Sequence, residues 1–144
     1  MRRVLASGLV LIIATLSAAA TAKAGQEGPQ PANSVQPISW DAWLAAKANA
    51  EKRDADGDFV SALQHYLEYI RQARGLKSSV RVAWGKNNAA YMIIKMHRRD
   101  PTVDLAPAER LLEEGLDIPE APEDCRAVLS ANLAYVKHCL GRSD

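Results

Sequence analysis

The sequence lacks the usual signs of a β-sheet: it has no Asn-Gly hairpin turn and no long run of alternating β-branched residues. Their absence argues against a sheet protein. A glycine-rich phosphate loop and a serine nucleophile elbow are also missing, and the histidines are scattered at positions 65, 97 and 138. The sequence therefore lacks the common signatures of phosphate-binding enzymes, hydrolases and zinc sites. We therefore predict an all-α protein that is not an enzyme and that uses no cofactor and no metal.

Cysteine is scarce, and the two present, Cys125 and Cys139, both fall in one predicted helix, 14 positions apart. At about 1.5 Å per residue this separates them by ~21 Å, whereas a disulfide needs Cα atoms within about 7 Å. We predict two small buried apolar residues and no intramolecular bridge. A bridge between molecules stays open if Cys139 is exposed.

The chain also lacks a strong excess of charge. It has 18 basic and 17 acidic residues, and the first 24 residues hold three of the bases and none of the acids. A chain without them has 15 bases against 17 acids, a net charge of −2. A nucleic-acid-binding protein would be clearly basic, so we expect no nucleic-acid partner.

The N-terminus has the layout of a secretory signal peptide. Arg2 and Arg3 precede an apolar run over residues 4–16, and two Ala-x-Ala cleavage motifs follow within residues 20–24. The run is shorter than the roughly 20 residues that cross a bilayer. We predict a signal peptide over residues 1–24, export to the periplasm or the medium, and no integral membrane segment after cleavage.

Residues 25–38 are rich in Pro, Gly and Gln and predict a disordered linker. From Ser39 to residue 141, apolar residues recur at helical spacing in five segments that turn signals separate. We predict one α-helical domain over residues 39–141, with about five helices packed as antiparallel pairs. The predicted helices cover about 40–53, 59 to Gly75, the Ser78–Ser79 cap to Arg99, the Asp104 cap to Gly115, and 121–140.

A short motif recurs at a spacing of 44 residues: Asn88, Ala90 and Tyr91 are repeated as Asn132, Ala134 and Tyr135. Self-similarity at 20–50 residues is typical of stacked helical repeats. Such arrays are usually binding surfaces.

Three segments resemble tetratricopeptide repeats. The stretch Gly-Asp-Phe-Val-Ser-Ala-Leu-Gln-His-Tyr at 57–66 resembles the family's second helix, and Asn-Leu-Ala at 132–134 resembles its first. Residues 105–119, with Ala108, Leu112 and Pro119, are similar to another second helix. The resemblance covers about residues 40–141 and implies a short right-handed stack of two helix pairs and a capping helix. A Sel1-like repeat or an unrelated α-bundle also fits these residues.

The resemblance further implies a groove on the first helices of the pairs, which would bind a peptide or protein partner. Aromatic side chains with a few donors are typical of binding hot spots, although each tryptophan could instead pack in the core. The oligomeric state stays open. The candidates are Trp40, Trp43 and Lys47 in the first helix, Trp84, Asn87, Tyr91 and Lys95 in the third, and Ala131, Tyr135 and His138 in the fifth.

Charge is segregated along the chain. Residues 71–99 hold eight bases and no acid, and residues 100–124 hold nine acids and one base. Either the rims of neighbouring helices attract each other, or the basic stripe binds an anionic polymer or lipid. The anion-binding candidates are Arg71, Arg74, Lys77, Arg81, Lys95, Arg98 and Arg99, and the eighth base is Lys86.

Asp54, Asp56 and Asp58 alternate like the start of a calcium-binding loop. Phe59 stands where that loop needs glycine, and His65 stands where it needs the closing glutamate. The segment is therefore predicted to be a turn followed by a helix cap.

Overall fold

The computed structural model describes residues 35–142, and these contain α-helices and no strand. The predicted all-α class is confirmed. The predicted signal peptide, and the linker as far as residue 34, lie outside the described residues. The helices are α1 (Trp40–Ala55), α2 (Phe59–Gly75), α3 (Ser79–Arg99), α4 (Ala106–Leu116) and α5 (Glu123–Cys139).

Local capping explains where α1 and α2 begin. The Ser39 hydroxyl accepts a hydrogen bond from the backbone N–H of Ala42 at 3.0 Å, and the Asp58 carboxylate accepts one from Ser61 at 3.1 Å. Gly57, immediately before Asp58, has φ +76°, a left-handed conformation that favours glycine. The turn and cap predicted for this segment are therefore present.

Helix α3 is the centre of the domain. Each helix packs against the next one in the chain, and α3 also contacts α5. One apolar cluster joins α1, α2 and α3, with Ala50, Ala62 and Met92 among its buried members. The other joins α3, α4 and α5 around Ile94, Leu112 and Leu129. Different sides of α3 thus belong to different cores, and α3 packs directly against α2, α4 and α5, whereas α1 packs mainly on α2.

The packed domain begins slightly before the predicted boundary at residue 39. Gln72 of α2 is fully buried, and its amide donates to the carbonyl of Pro37 and accepts from the N–H of Ser39, both at 2.9 Å. The Ile38 side chain lies against Gly75. These bonds hold residues 37–39 on α2, because a buried amide needs partners for its donor and its acceptor.

Both cysteines are free and lie on α5, as their spacing predicted. Cys125 is buried, and burial raises the pKa of its thiol. Cys139 is exposed, so the prediction that both are buried is wrong for Cys139. It lies in the last turn of a helix that ends at the edge of the domain, beyond the buried Val136.

Within residues 35–142, no helix combines the length and the apolar character that crossing a bilayer requires.

The loop between α4 and α5 depends on one side chain. The guanidinium group of Arg126 donates to the carbonyls of Leu116, Ile118, Pro119 and Ala121 at 2.9, 2.6, 3.2 and 3.1 Å. Arg126→Ala should lower the free energy of unfolding by about 2 kcal/mol, because partly buried carbonyls lose a charged donor. Urea denaturation measures this. Arg126→Lys should recover only part of the loss, and an alanine variant as stable as wild type would contradict the assignment.

Candidate functional site

One side of α3 is only partly covered by the rest of the domain. Its half-exposed and exposed side chains occur at alternating intervals of three and four residues, which places them in one stripe along the helix. Side chains of α1 and α5 flank this stripe on either side. We call this surface the α1–α3–α5 face. It comprises Trp40, Leu44 and Lys47 of α1, Arg81, Trp84, Asn88, Tyr91, Lys95 and Arg98 of α3, and Asn132 and Tyr135 of α5.

At one end of the face, Arg81 is stacked on two tryptophans of α1. Its guanidinium carbon lies 4.7 Å from the ring centroid of Trp40 and 4.9 Å from that of Trp43. One guanidinium nitrogen donates to the Ser78 hydroxyl at 3.1 Å. No carboxylate within residues 35–142 forms an ion pair with Arg81. This cation is therefore held in place by rings and keeps most of its donors.

At the other end, Arg98 has a similar environment. Its guanidinium carbon lies 4.7 Å from the Tyr135 ring of α5 and 5.9 Å from the Tyr91 ring of α3. Its Nε donates to the Tyr135 hydroxyl at 3.3 Å. As with Arg81, none of the described carboxylates forms an ion pair with it. Each end of the face thus presents one arginine that lies against two aromatic rings.

The lysines of the face are neutralised within the domain. Lys95 contacts both carboxylate oxygens of Asp54, at 2.6 and 2.8 Å, and its amino group lies 4.8 Å from the Tyr91 ring centroid. Lys47 pairs with Glu51 one turn along α1, at 2.5 Å. The positive charge that remains uncompensated on the face is therefore that of the two arginines.

Two of the predicted groove residues are buried. Trp43 is only 9% exposed and packs against Tyr69, with ring centroids 5.0 Å apart. No group within residues 35–142 accepts a hydrogen bond from its indole N–H. Burial raises the pKa of Tyr69. Trp43 thus contacts Arg81, and little of its own surface is accessible to a partner.

Asn87 is the other buried member, at 5% exposure, and its side-chain carbonyl accepts from the amide of Asn132 at 2.9 Å. This bond ties α5 to α3. The half-exposed amide of the face is the next residue, Asn88. One position along a helix turns a side chain by about 100°, which is enough to move it from a groove into a core. The sequence could have identified Asn88, because it lies four residues after Trp84 and three residues before Tyr91 and so shares their side of the helix.

The remaining predicted residues lie where they can meet solvent. Trp84 and Tyr91 are half-buried and pack against the core with one side of their rings. Tyr135 is half-buried beside Arg98, and Ala131 and His138 are exposed on α5. The groove prediction named neither Leu44 nor Asn88, and it placed Arg81 and Arg98 in the basic stripe instead.

The basic run from 71 to 99 does not form a continuous stripe. Arg71 pairs with Glu68 at 2.6 Å on α2, and the buried Lys86 pairs with Glu114 of α4. Hydrogen bonding from Lys86 lowers the pKa of the Glu114 carboxyl below its ordinary value. This pair is the contact between basic and acidic rims that the first interpretation of the charge pattern predicts.

The other bases of the run are dispersed over different surfaces. Arg99 donates to the carbonyl of Gly57 at 2.8 Å and lies over the Phe59 ring. Arg74 and Lys77 line a cleft of about 390 Å³ together with the acidic residues 117 and 120. Anion binding by the whole run would therefore require surfaces that face in different directions.

The aspartates before α2 are engaged by side chains and backbone of the domain. Asp54 binds Lys95, and Asp56 binds Lys52 at 2.6 Å. Hydrogen bonds from Ser61 lower the pKa of Asp58. In the part of the chain that the structure describes, no three His, Cys, Asp or Glu side chains converge as a metal site would require.

The α1–α3–α5 face offers flat rings, two guanidinium groups and a half-exposed amide. Such groups can contact a ligand by stacking and hydrogen bonding, and tryptophan, tyrosine and arginine are the residues enriched in binding hot spots. Comparison with protein-family models, with curated proteins and with solved structures finds no match for this chain.

Proposed function

We propose that this chain is an exported protein-interaction module, rather than an enzyme, and that it binds a peptide or protein segment on the α1–α3–α5 face. The observation that carries the proposal is the pair of ring-stacked arginines, Arg81 and Arg98, which no described carboxylate neutralises. Export follows from the predicted signal peptide over residues 1–24.

Preorganisation makes these arginines suited to binding. A guanidinium group has five N–H donors, and each of these two uses one nitrogen for a contact inside the domain. Stacking on rings has already removed much of the side chain's freedom. A partner therefore gains hydrogen bonds from Arg81 and Arg98 with less loss of conformational entropy than it would from a mobile surface arginine.

Exposed apolar side chains lie beside the Arg81 end. Trp40 is 47% exposed and Leu44, one turn further along α1, is 54% exposed. Large apolar groups next to a stacked arginine match the composition of the centre of a binding site.

Contacts among α1, α3 and α5 support a tetratricopeptide-like arrangement. Helix α3 packs against its sequence neighbours and also against α5. On the other flank of α3, Arg81 contacts Trp40 of α1, and Lys95 contacts Asp54 of α1. In such a stack, alternate helices lie side by side and form one binding surface.

Selection from a random peptide library displayed on phage tests the proposal, with the purified protein as bait. Selected peptides should bind wild type and should lose at least tenfold in affinity with Trp40→Ala/Leu44→Ser, because a hot-spot truncation costs about 2 kcal/mol. The matched control is Val60→Ala/Leu67→Ser on α2, where the residues are similarly exposed, at 58% and 48%. Equal affinity in both variants, or equal loss, would contradict the proposal. Circular dichroism confirms that each variant is folded.

The alternative proposal is an envelope protein that binds an anionic polymer or lipid through residues 71–99. It has less support, because Arg71, Lys86 and Lys95 are already paired with carboxylates. Such binding would weaken steeply with salt. It would also depend on Arg74 and Lys77, which lie outside the α1–α3–α5 face.

A further inference from the structure

We infer that the segment bound on the α1–α3–α5 face is extended and acidic, with one carboxylate received by Arg81 and another by Arg98. This inference rests on the proposed function and specifies the chemistry of the partner. It follows from three properties of the face: its charge, the geometry of its arginines, and the distance between them.

The charge of the face is complementary to that of an anionic partner. Lys47 and Lys95 are compensated by Glu51 and Asp54, whereas the two arginines are not. None of the acids of residues 100–124 forms an ion pair with either arginine, and the three that are paired, Glu109, Glu113 and Glu114, contact Arg142, Lys137 and Lys86. The face therefore has an excess of two positive charges, concentrated at its ends, and a complementary segment places negative charge at both ends.

The geometry of the arginines favours carboxylates. A planar guanidinium group binds a carboxylate through two parallel N–H···O bonds, and such a bond pair is stronger and more directional than a contact with an ammonium group. Contacts with the Trp40 and Trp43 rings restrict the position of the Arg81 guanidinium, and the Tyr135 ring and hydroxyl restrict that of Arg98. Each site is thus ready to receive one carboxylate without a large rearrangement.

The distance between the arginines sets the length of the bound segment. Arg81 and Arg98 are 17 residues apart on α3, which corresponds to about 25 Å along the helix. An extended peptide advances about 3.3 Å per residue, so seven or eight residues span that distance. Trp84, Asn88 and Tyr91 lie between the ends, where rings can stack on side chains and the amide can bond to the peptide backbone.

Fluorescence anisotropy with designed peptides tests the inference. The acidic probe carries a pair of glutamates at each end of a neutral spacer of about seven residues, the length derived above. One control probe has glutamine at the same four positions, and a second has all four glutamates adjacent. The acidic probe should bind wild type at least tenfold more tightly than the glutamine probe and more tightly than the probe with adjacent glutamates.

Variants locate the binding. Arg81→Gln and Arg98→Gln should each weaken the acidic probe about tenfold, and together they should abolish its advantage over the glutamine probe. Arg81→Lys should give an intermediate affinity, because lysine keeps the charge and loses the two-bond geometry. The matched control is Arg74→Gln on α2, an exposed arginine outside the face, which should bind like wild type.

The outcomes separate this inference from the proposed function. Equal binding of acidic and glutamine probes, or equal loss with Arg74→Gln, would overturn the acidic partner. If library peptides depend on Trp40 and Leu44 but not on the arginines, the binding face stands and the acidic partner is wrong. If no peptide depends on the face, both fail. Arginine-dependent binding of anionic lipid vesicles, with no binding of the acidic probe, would also overturn the inference.

Discussion

Leu129→Ala should lower the free energy of unfolding by about 3–5 kcal/mol. Leu129 is fully buried on α5, and its methyl groups lie against Gly115 of α4. Truncation removes apolar contacts on all sides and leaves a cavity between two helices that the backbone can close only in part. Urea denaturation followed by circular dichroism measures the change, and a loss below about 1 kcal/mol would mean that α4 and α5 collapse freely onto each other.

A second substitution, Gly115→Ala, tests whether Gly115 and Leu129 are in contact. A Cβ added at Gly115 would lie 2.8 Å from a Leu129 methyl carbon, so Gly115→Ala alone should be neutral or destabilising despite alanine's better helix propensity. In the Leu129→Ala background the added methyl enters the vacated space. There Gly115→Ala should recover about 1 kcal/mol from helix propensity and burial. Purely additive free energies would contradict the contact between these residues.

The Leu129→Ala variant also tests the proposed binding role of the α1–α3–α5 face. Helix α5 carries Tyr135, which positions Arg98, and Asn132, which bonds to Asn87. Looser docking of α5 should therefore weaken peptide binding at the Arg98 end even under conditions where the protein remains folded. The Arg81 end, held by α1, should be less affected.

Gly85→Val should destabilise the domain by about 3 kcal/mol, at the upper end of what overpacking usually costs. Gly85 is buried where α3 crosses α2, and a Cβ there would lie 2.7 Å from Ile70 Cγ1 and 2.7 Å from a Tyr69 ring carbon. Real Cβ atoms do not approach so closely, so the Ile70 and Tyr69 side chains or the two helices must shift. Thermal denaturation measures the effect. Valine has two further methyl groups that need space in the same contact.

The matched control for this prediction is Ala127→Val, an exposed position on α5. It introduces the same β-branched side chain into a helix without a clash, and should cost only about half a kcal/mol through helix propensity. Similar losses at both positions would show that the crossing of α2 and α3 adapts easily. Gly85 directly follows Trp84, so a shift of α3 should also displace the centre of the α1–α3–α5 face.

Residues 87 and 88 show how far sequence reasoning reaches at the site. Aligning the repeated motif singled out the three helices that form the α1–α3–α5 face, but it selected Asn87, which is buried, over Asn88, which is half-exposed. The basic run is a second example. Its charges are adjacent in sequence, yet Lys86 is buried against Glu114 while Arg81 and Arg98 lie on the opposite, ring-lined side of the helix.

The five helices and the starts of α1 and α2 were determined by the sequence alone, because apolar periodicity and the caps Ser39 and Asp58 act over one or two turns. The N-cap residues of α3, α4 and α5 make no side-chain cap hydrogen bond, and the predicted starts of these helices are less exact. The separation of the cysteines followed in the same way from helix geometry. Only the tertiary structure decided that Trp43 is covered and that Lys95 meets Asp54, 41 residues away. Whether a cation is neutralised or left for a partner depends on how distant helices pack, and no local pattern contains that information.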